Sequence, residues 1–548
     1  MNVSDYILST LGATGIETIF GLPGVHALGL WESLSRSNLR YIGFRHEQSA
    51  AHAADGYGRA SRRAGVVLLS TGPGALNALS ALAEAYVSSS PVIAISSAIP
   101  TQYLGKQKGY LHETKDLKGA FEAVTRFHGR ATSPDDVPPL LADALEAATG
   151  RRPGPAFIEI PADVIDGDVR TTGSVQPQQT SQQDPLPMKT PTSVYASSIE
   201  EAALLSRLAA RPVIWAGGGV LRSGASAELQ RLAEMLGAPV VTTFMGKGAI
   251  AEDHPLSVGS LVRQPETAEL LGDADLMIAV GTRFTAMATG NWTMRMPDQM
   301  IHIDIDPDEI GRNYPVRIGI SEDAKVALAH LIQAISASQD PPVADKRWSA
   351  KVVEVKTAAL TRAGEHTWET QVLSAIRRAV PAEVTTVHDM TVPSYWAAPF
   401  FPVTVPGTYH YPYGYASLGF SFPAAIGVAA HEQRPVVAFS GDGGFQYHLR
   451  ELATLVQYSL PVTVIVFNDQ SWGVLRAFSQ ARYGESFGLD LPSPDMLGLA
   501  KSYGVNAVRV SEPTDIERAV KDAVSSCEPN LIEIPGKWAL PPPSGYYR

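Results

Sequence analysis

The feature that most constrains this chain is a thrice-repeated alternation of short apolar, β-branched runs with longer helical stretches. In the first part of the chain the runs are residues 65–70, 92–96 and 156–160. They are too short and too β-branched to prefer helix, and they are apolar throughout rather than alternating, as strands buried on both faces must be. Runs of this kind separated by helical stretches imply a parallel sheet with helices covering it. The pattern returns at 212–216, 239–242, 276–280 and 300–305, and again at 384–388, 435–439, 462–467 and 530–534. Two stretches break it: 171–193, rich in Gln, Ser, Thr and Pro, and 336–345, which contains Pro341 and Pro342. The expected fold is therefore α/β, with three doubly wound parallel-sheet domains at 1–170, 196–335 and 366–548, joined by linkers at 171–195 and 336–365. The 548 residues are more than one hydrophobic core usually organises.

Composition excludes several partners. The formal net charge of −11 leaves no basic surplus to neutralise phosphates, so no nucleic-acid partner is expected. No run approaches the roughly 18 uninterrupted apolar residues of a membrane helix. The N-terminus lacks the cationic start and apolar block of a secretory signal, and Cys527 is the only cysteine. Both features point to a reducing cytoplasm.

The third segment carries the densest chemistry. The run that begins at Pro435 passes straight into Gly441-Asp442-Gly443-Gly444, after which Glu451 to Leu455 starts a helical pattern. A glycine turn between strand and helix lets backbone N–H groups approach a phosphate at the positive end of a helix, but such turns are equally often only structural. The next strand ends in Asn468-Asp469-Gln470-Ser471. Two carboxylates at the carboxyl ends of neighbouring parallel strands, Asp442 and Asp469, supply part of an octahedral shell for Mg²⁺, with diphosphate oxygens, a backbone carbonyl and water completing it. Asp469 as a simple turn cap is the alternative.

Gly441-Asp442-Gly443 with an Asn-rich turn at this spacing resembles the cofactor motif of thiamine diphosphate enzymes, in the branch that holds acetolactate synthase, benzoylformate decarboxylase, benzaldehyde lyase and oxalyl-CoA decarboxylase. The likeness runs over essentially the whole chain. It implies that Asp442 and Asp469 are side-chain metal ligands and that Ser471 gives its carbonyl oxygen. It also implies that Gly441, Gly443, Gly444, Ser471, Trp472 and Gly473 border the diphosphate. The family usually has a second Asn where this chain has Asp469, which adds a negative charge to the site.

The same resemblance assigns the first segment to the cofactor's pyrimidine. Read alone, Glu47 is a first-turn helix residue stabilised by the helix dipole. However, Arg45-His46-Glu47, followed by Ala50, Ala53, Ala54, Asp55, Gly56, Tyr57 and Arg59, is similar to the family segment whose buried Glu pairs with the aminopyrimidine ring. Pro23 and Gly24 in the first glycine turn, and Gly72 and Asn77 in Ser70-Thr71-Gly72-Pro73-Gly74, resemble the loops that face that ring. Ser417 and Leu418 match the turn whose bulky apolar residue wedges the cofactor into a bent form; ordinary core packing is the alternative for Leu418. Because these elements come from opposite ends of the chain, the family architecture implies active sites at a chain interface, in a homodimer or homotetramer.

The substrate side is less specified. His26 stands where benzaldehyde lyase carries a pocket His, and could shuttle protons beside the cofactor. His112, before Glu113, falls where many relatives have a Gln-Glu loop over the cofactor. Trp472, Phe478, Gln480 and Tyr483 read either as an aromatic helix at the pocket mouth or as core. Phe478 replaces the Trp usual in acetolactate synthases, and the His pair expected of a pyruvate or benzoylformate decarboxylase is missing. In the middle segment, Gly217-Gly218-Gly219 after a strand resembles the domain that holds FAD or ADP in some relatives, with Asp304 and Asp306 as ribose contacts or strand-end caps. No G-x-G-x-x-G is present. The reading is an enzyme using thiamine diphosphate and Mg²⁺ on a 2-oxo acid or acyloin. Acetolactate synthase-like carboligation comes first; 2-oxo acid decarboxylation or acyloin cleavage is the alternative.

Overall fold

The computed structural model describes residues 1–170, 193–343, 345, 347–364 and 367–542. They form three parallel six-stranded sheets with helices between the strands. The first comprises β1 (Thr18–Gly21), β2 (Arg40–Gly43), β3 (Gly65–Leu69), β4 (Val92–Ala98), β5 (Phe127–Arg130) and β6 (Ala156–Pro161), in the order β2-β1-β3-β4-β6-β5. The second has β7 (Pro212–Ala216), β8 (Val240–Thr242), β9 (Ser257–Gly259), β10 (Leu276–Val280), β11 (Met300–Asp304) and β12 (Ile318–Ser321), in the order β12-β11-β10-β7-β8-β9. The third has β13 (Thr385–His388), β14 (Tyr409–His410), β15 (Val436–Gly441), β16 (Val462–Asn468), β17 (Asn506–Arg509) and β18 (Asn530–Pro535), in the order β14-β13-β15-β16-β18-β17.

Counted within each sheet, the first and third share the order 2-1-3-4-6-5, and the second has 3-2-1-4-5-6, the dinucleotide-fold order. The apolar runs became the central strands: β3, β4, β6, β7, β10 and β11 are buried along their whole length.

The first and third domains meet through helix Glu47–Ser61 and helix Ser421–Glu432. A Cβ on Gly56 or Gly427 would collide with the carbonyl groups of Ala424 and Ala53 respectively, so the small residues of both helices serve a close backbone approach. Arg59 is buried beside this contact, with Nε 2.7 Å from Asp55, Nη2 3.2 Å from Glu84 and Nη1 donating to the Tyr411 carbonyl at 3.1 Å. The Asp55 and Arg59 of the motif are thus an internal ion pair.

Of the expected linker at 171–195, residues up to 192 lie outside the described residues, and helix Ser193–Leu208 takes up the rest. The other, 336–365, is not a plain spacer. It contains helix Lys351–Ala363, which buries Val352, Val355 and Ala359 in the core beside β9. Its apolar spacing was masked by the flanking prolines and charges.

Candidate active site

The two outer sheets each change direction between their first and third strands, where a doubly wound sheet opens a crevice at its carboxyl edge. In the first domain the loops there follow β1 and β3. Gly24 caps a short 3₁₀ turn over Val25–Ala27, which presents His26, while Pro23 is exposed beside it. Gly72 begins helix Pro73–Asn77 with φ +63, a conformation glycine takes at no steric cost. A Cβ there would stand 2.5 Å from the His112 carbonyl oxygen. The β3 loop and the His112 loop are therefore locked together.

Glu47 opens its helix after the N-cap His46 and is 8% exposed. Its Oε2 accepts a hydrogen bond from Asn77 Nδ2 at 3.0 Å, and a Cβ on Gly74 would stand 2.5 Å from Oε1. The fold thus brings a carboxylate, an amide that orients it and a glycine that makes room for it into mutual contact. His26 and His112 join this group: their rings are 5.5 Å apart, nearly perpendicular, and the Nδ1 atoms of both are buried without a hydrogen-bond partner. Burial, then the neighbouring His112, lowers the pKa of His26. His112 itself adopts φ +68. The fold thus brings together two histidines that stand 86 positions apart in the chain (112 − 26).

In the third domain the corresponding loops follow β13 and β15. Helix Asp442–His448 starts at the glycine turn, with Gly441 at its N-cap. Gly443, Gln446, Tyr447, Trp472 and Leu491 line a cavity of about 240 Å³ at its first turns. Gly444 lies on the opposite side, against Asp389. Asp442 is 2% exposed, and burial, reinforced by Asp469, raises its pKa to about 6 against the opposing hydrogen bond of Ser493. Burial raises Asp469 as well. Burial raises both carboxyls and Asp469 adds to the rise at Asp442, so a cation held there would relieve a cost the fold already bears.

The turn after β16 is tied by hydrogen bonds. Ser471 N donates to Asp469 Oδ1 at 3.0 Å, Gln470 has φ +53, and Leu491 N donates to the Gln470 carbonyl at 2.9 Å. A Cβ on Gly473 would clash with Asp469 Oδ2, which explains the glycine that follows Trp472. Among the described residues no group of three or more His, Cys, Asp or Glu could hold a metal. An ion at Asp442 and Asp469 therefore needs further oxygens from a carbonyl, a bound anion or water, as Mg²⁺ sites commonly have.

One residue of this half was missed by sequence reasoning. Ser493 Oγ donates to Asp442 Oδ2 at 2.7 Å and lies 3.0 Å from Asn468 Oδ1, linking the ends of β15 and β16. It sits in a loop with no pattern of its own, so nothing local marks it. Leu418 is half-buried, and Ser417 Oγ is 3.3 Å from Ser80 and 3.5 Å from His52 Nε2. Helix Gly473–Tyr483 buries none of its residues fully, although Phe478 packs on the core; Leu475 and Tyr483 are exposed.

In the middle domain the features that suggested a nucleotide are engaged by the protein. Asp304 Oδ1 accepts from Asp306 N at 2.9 Å, and Asp306 caps the 3₁₀ turn Pro307–Glu309. The other oxygen of Asp306 binds Arg152 of the first domain at 2.5 Å, and Arg152 also reaches Glu309 at 2.8 Å. Gly217 and Gly219 pack directly on Gly281. The aspartates are caps and an interdomain ion pair.

Comparison with known proteins agrees with this geometry in all three domains. Family models described as the thiamine pyrophosphate enzyme N-terminal TPP binding domain, central domain and C-terminal TPP binding domain match residues 1–120, 199–331 and 389–534. The chain belongs to the thiamine pyrophosphate enzyme family and is a thiamine diphosphate-dependent enzyme. It is 37% identical to a probable acetolactate synthase large subunit of Methanocaldococcus jannaschii, over 100% of this chain and 94% of that protein. It is 33% identical to a probable 2-ketoarginine decarboxylase of Pseudomonas aeruginosa, over 97% of this chain and 94% of that protein. With the acetolactate synthase isozyme 3 large subunit of Escherichia coli the identity is 28%, over 96% and 93%.

Proposed function

We propose that this enzyme is an acetolactate synthase-like carboligase that acts on 2-oxo acids with thiamine diphosphate and Mg²⁺. The reading rests on one observation above all: a buried glutamate fixed by an amide at the switch point of the first sheet, and the buried Asp442 with the half-buried Asp469 beside a glycine turn at the equivalent point of the third.

Bound cofactor would supply the electron sink for the pair left on the substrate's carbonyl carbon when the adjoining C–C bond breaks. The chain supplies the rest. Glu47, oriented by Asn77 and given room by Gly74, holds the proton that the pyrimidine ring nitrogen shares. Asp442, Asp469 and the Ser471 carbonyl would hold Mg²⁺, and the start of helix Asp442–His448 with Gly441, Gly443, Gly444, Trp472 and Gly473 would receive the diphosphate. Leu418 would pack against the cofactor between its two rings. His26 and His112, whose Nδ1 atoms are buried without a hydrogen-bond partner, would exchange protons with the substrate oxygen.

A decarboxylase reading is kept because one relative of nearly full-length coverage is a probable 2-ketoarginine decarboxylase and because His26 and His112 form a spatial pair able to protonate a bound fragment. Acyloin cleavage by the same groups is the reverse of ligation. A middle-domain FAD or ADP is not adopted, since Asp306 and the Gly217–Gly219 turn are already engaged.

The active unit is taken to be a homodimer or a larger assembly with the site between chains. Val25, Leu28, Leu111, Tyr415, Tyr447 and Leu475 are exposed and flank both half-sites, which is the pattern of an apolar surface awaiting a partner. No described helix is long and apolar enough to cross a membrane, which accords with a cytoplasmic location.

Turnover with thiamine diphosphate and Mg²⁺ on a panel of 2-oxo acids and acyloins, with and without aldehyde acceptors, tests the proposal. Acetolactate formed from pyruvate is the expected result. Carbon dioxide release without a ligated product moves the assignment to decarboxylase, and acyloin cleavage moves it to lyase.

A further inference from the structure

Asp389, the first residue past β13, lies at the switch point of the third sheet, and the readings above give it no role. Its N–H continues the ladder to the Phe439 carbonyl at 3.0 Å, and the residue is 1% exposed. Oδ1 accepts the N–H of Met390 at 2.8 Å and, 30 positions away in sequence, the N–H of Gly419 at 3.1 Å. Oδ2 completes no hydrogen bond, although Ser421 lies close enough to lower the carboxyl's pKa. It faces Gly444, where a Cβ would stand 2.7 Å away.

Gly419 is equally constrained. It follows Leu418 directly and has φ +81, and a Cβ on it would stand 2.7 Å from the His448 ring and 3.0 Å from the Gly444 carbonyl oxygen. One buried carboxyl therefore touches both the turn that carries Leu418 and the glycine loop that opens the phosphate helix. Burial raises its pKa to about 7. An ordinary strand-end cap needs neither this depth nor a contact so far along the chain.

We propose that Asp389 is a positioning residue that couples the first turn of helix Asp442–His448, at Gly444, to the Leu418 turn, so that seating a diphosphate at that turn fixes the side chain that bends the cofactor. This deepens the cofactor reading above and rests on it.

The test uses the full-length apoprotein and its Asp389→Ala, Asp389→Asn and Asp389→Ser variants. Hydrogen exchange of the peptide spanning residues 417–420 is followed by mass spectrometry with and without thiamine diphosphate and Mg²⁺, and cofactor binding is measured by calorimetry. In the wild type the cofactor should slow exchange at Gly419 by about 10-fold or more, as expected when a local opening is suppressed. Asp389→Ala should bind the cofactor yet lose that protection, and Asp389→Asn, which keeps the acceptor oxygen, should restore it. Asp389→Ser, a smaller side chain with a shorter reach, should resemble Asp389→Ala and serves in its place if the alanine variant does not fold. The coupling is overturned if the alanine or serine variant binds the cofactor and shows wild-type protection, or if Asp389→Asn fails to restore it. Failure of the wild type to bind thiamine diphosphate would instead overturn the cofactor reading, so the two failures are distinct.

Discussion

The first and third sheets have the same strand order and open a crevice at the same place, yet the two crevices carry opposite chemistry. In the first, the loops gather a glutamate, an amide and two imidazoles. In the third, they gather two aspartates, a glycine turn and the start of a helix. The helices at Glu47–Ser61 and Ser421–Glu432 hold the two sheets together through small residues. The lesson is that topology fixes where a ligand can sit, while a handful of loop residues fix what is done there. Under the proposed function one half would manage a proton and the other anionic oxygens and a cation.

This division of labour can be broken most sharply from its two charged centres. Glu47→Gln should lower turnover by about 10²- to 10⁴-fold, the span of general acid–base contributions, and leave thiamine diphosphate and Mg²⁺ binding close to wild type. Asp442→Ala should instead abolish Mg²⁺-dependent cofactor binding. Calorimetry beside steady-state rates separates the two, and a Glu47→Gln protein that no longer bound the cofactor would erase the distinction.

A smaller and more local version uses the glycines that make room for each carboxylate. Gly74→Ala should displace Glu47, lowering kcat while the Mg²⁺ half-saturation stays put. Gly473→Ala should displace Asp469, raising the Mg²⁺ half-saturation while kcat at saturating metal is largely kept. Smaller again, Ser493→Ala removes the hydroxyl that orients Asp442 and should weaken Mg²⁺ binding by about 10- to 100-fold, as outer-shell partners typically do.

The smallest expected effect is a pH dependence confined to the third domain. Asp442 has a folded-state pKa of about 6 against an ordinary 3.8. A raised acid stabilises the fold fully below its unfolded pKa and loses that contribution as pH rises through the folded value. The melting temperature of the apoprotein relative to an Asp442→Asn variant should therefore fall between pH 4 and pH 7. Bound Mg²⁺ and thiamine diphosphate should remove the decline, and an unchanged difference across that range would contradict the electrostatic picture of the site.

The central strands were legible because they are apolar on both faces. Edge strands such as β5 and β17 were not, since half-exposed segments carry no such run, and β14, though buried, has only two residues; Arg509 and Asn506 of β17 are exposed. The same physics explains the site. Asp442 and Asp469 were visible because each follows a buried strand, whereas Ser493 acts from a patternless loop. Asp389 also follows a buried strand, but no glycine turn or second donor beside it announces a function.

By itself the sequence determined the three parallel-sheet domains and the carboxylates at their strand ends, because hydrophobic periodicity and turn chemistry are local properties of the chain. Tertiary structure alone decided which distant groups meet: Asn77 on Glu47, His26 beside His112, Ser493 on Asp442 and Arg152 on Asp306. Each is a side-chain contact set by how elements pack, and packing geometry leaves no periodic trace in the order of residues.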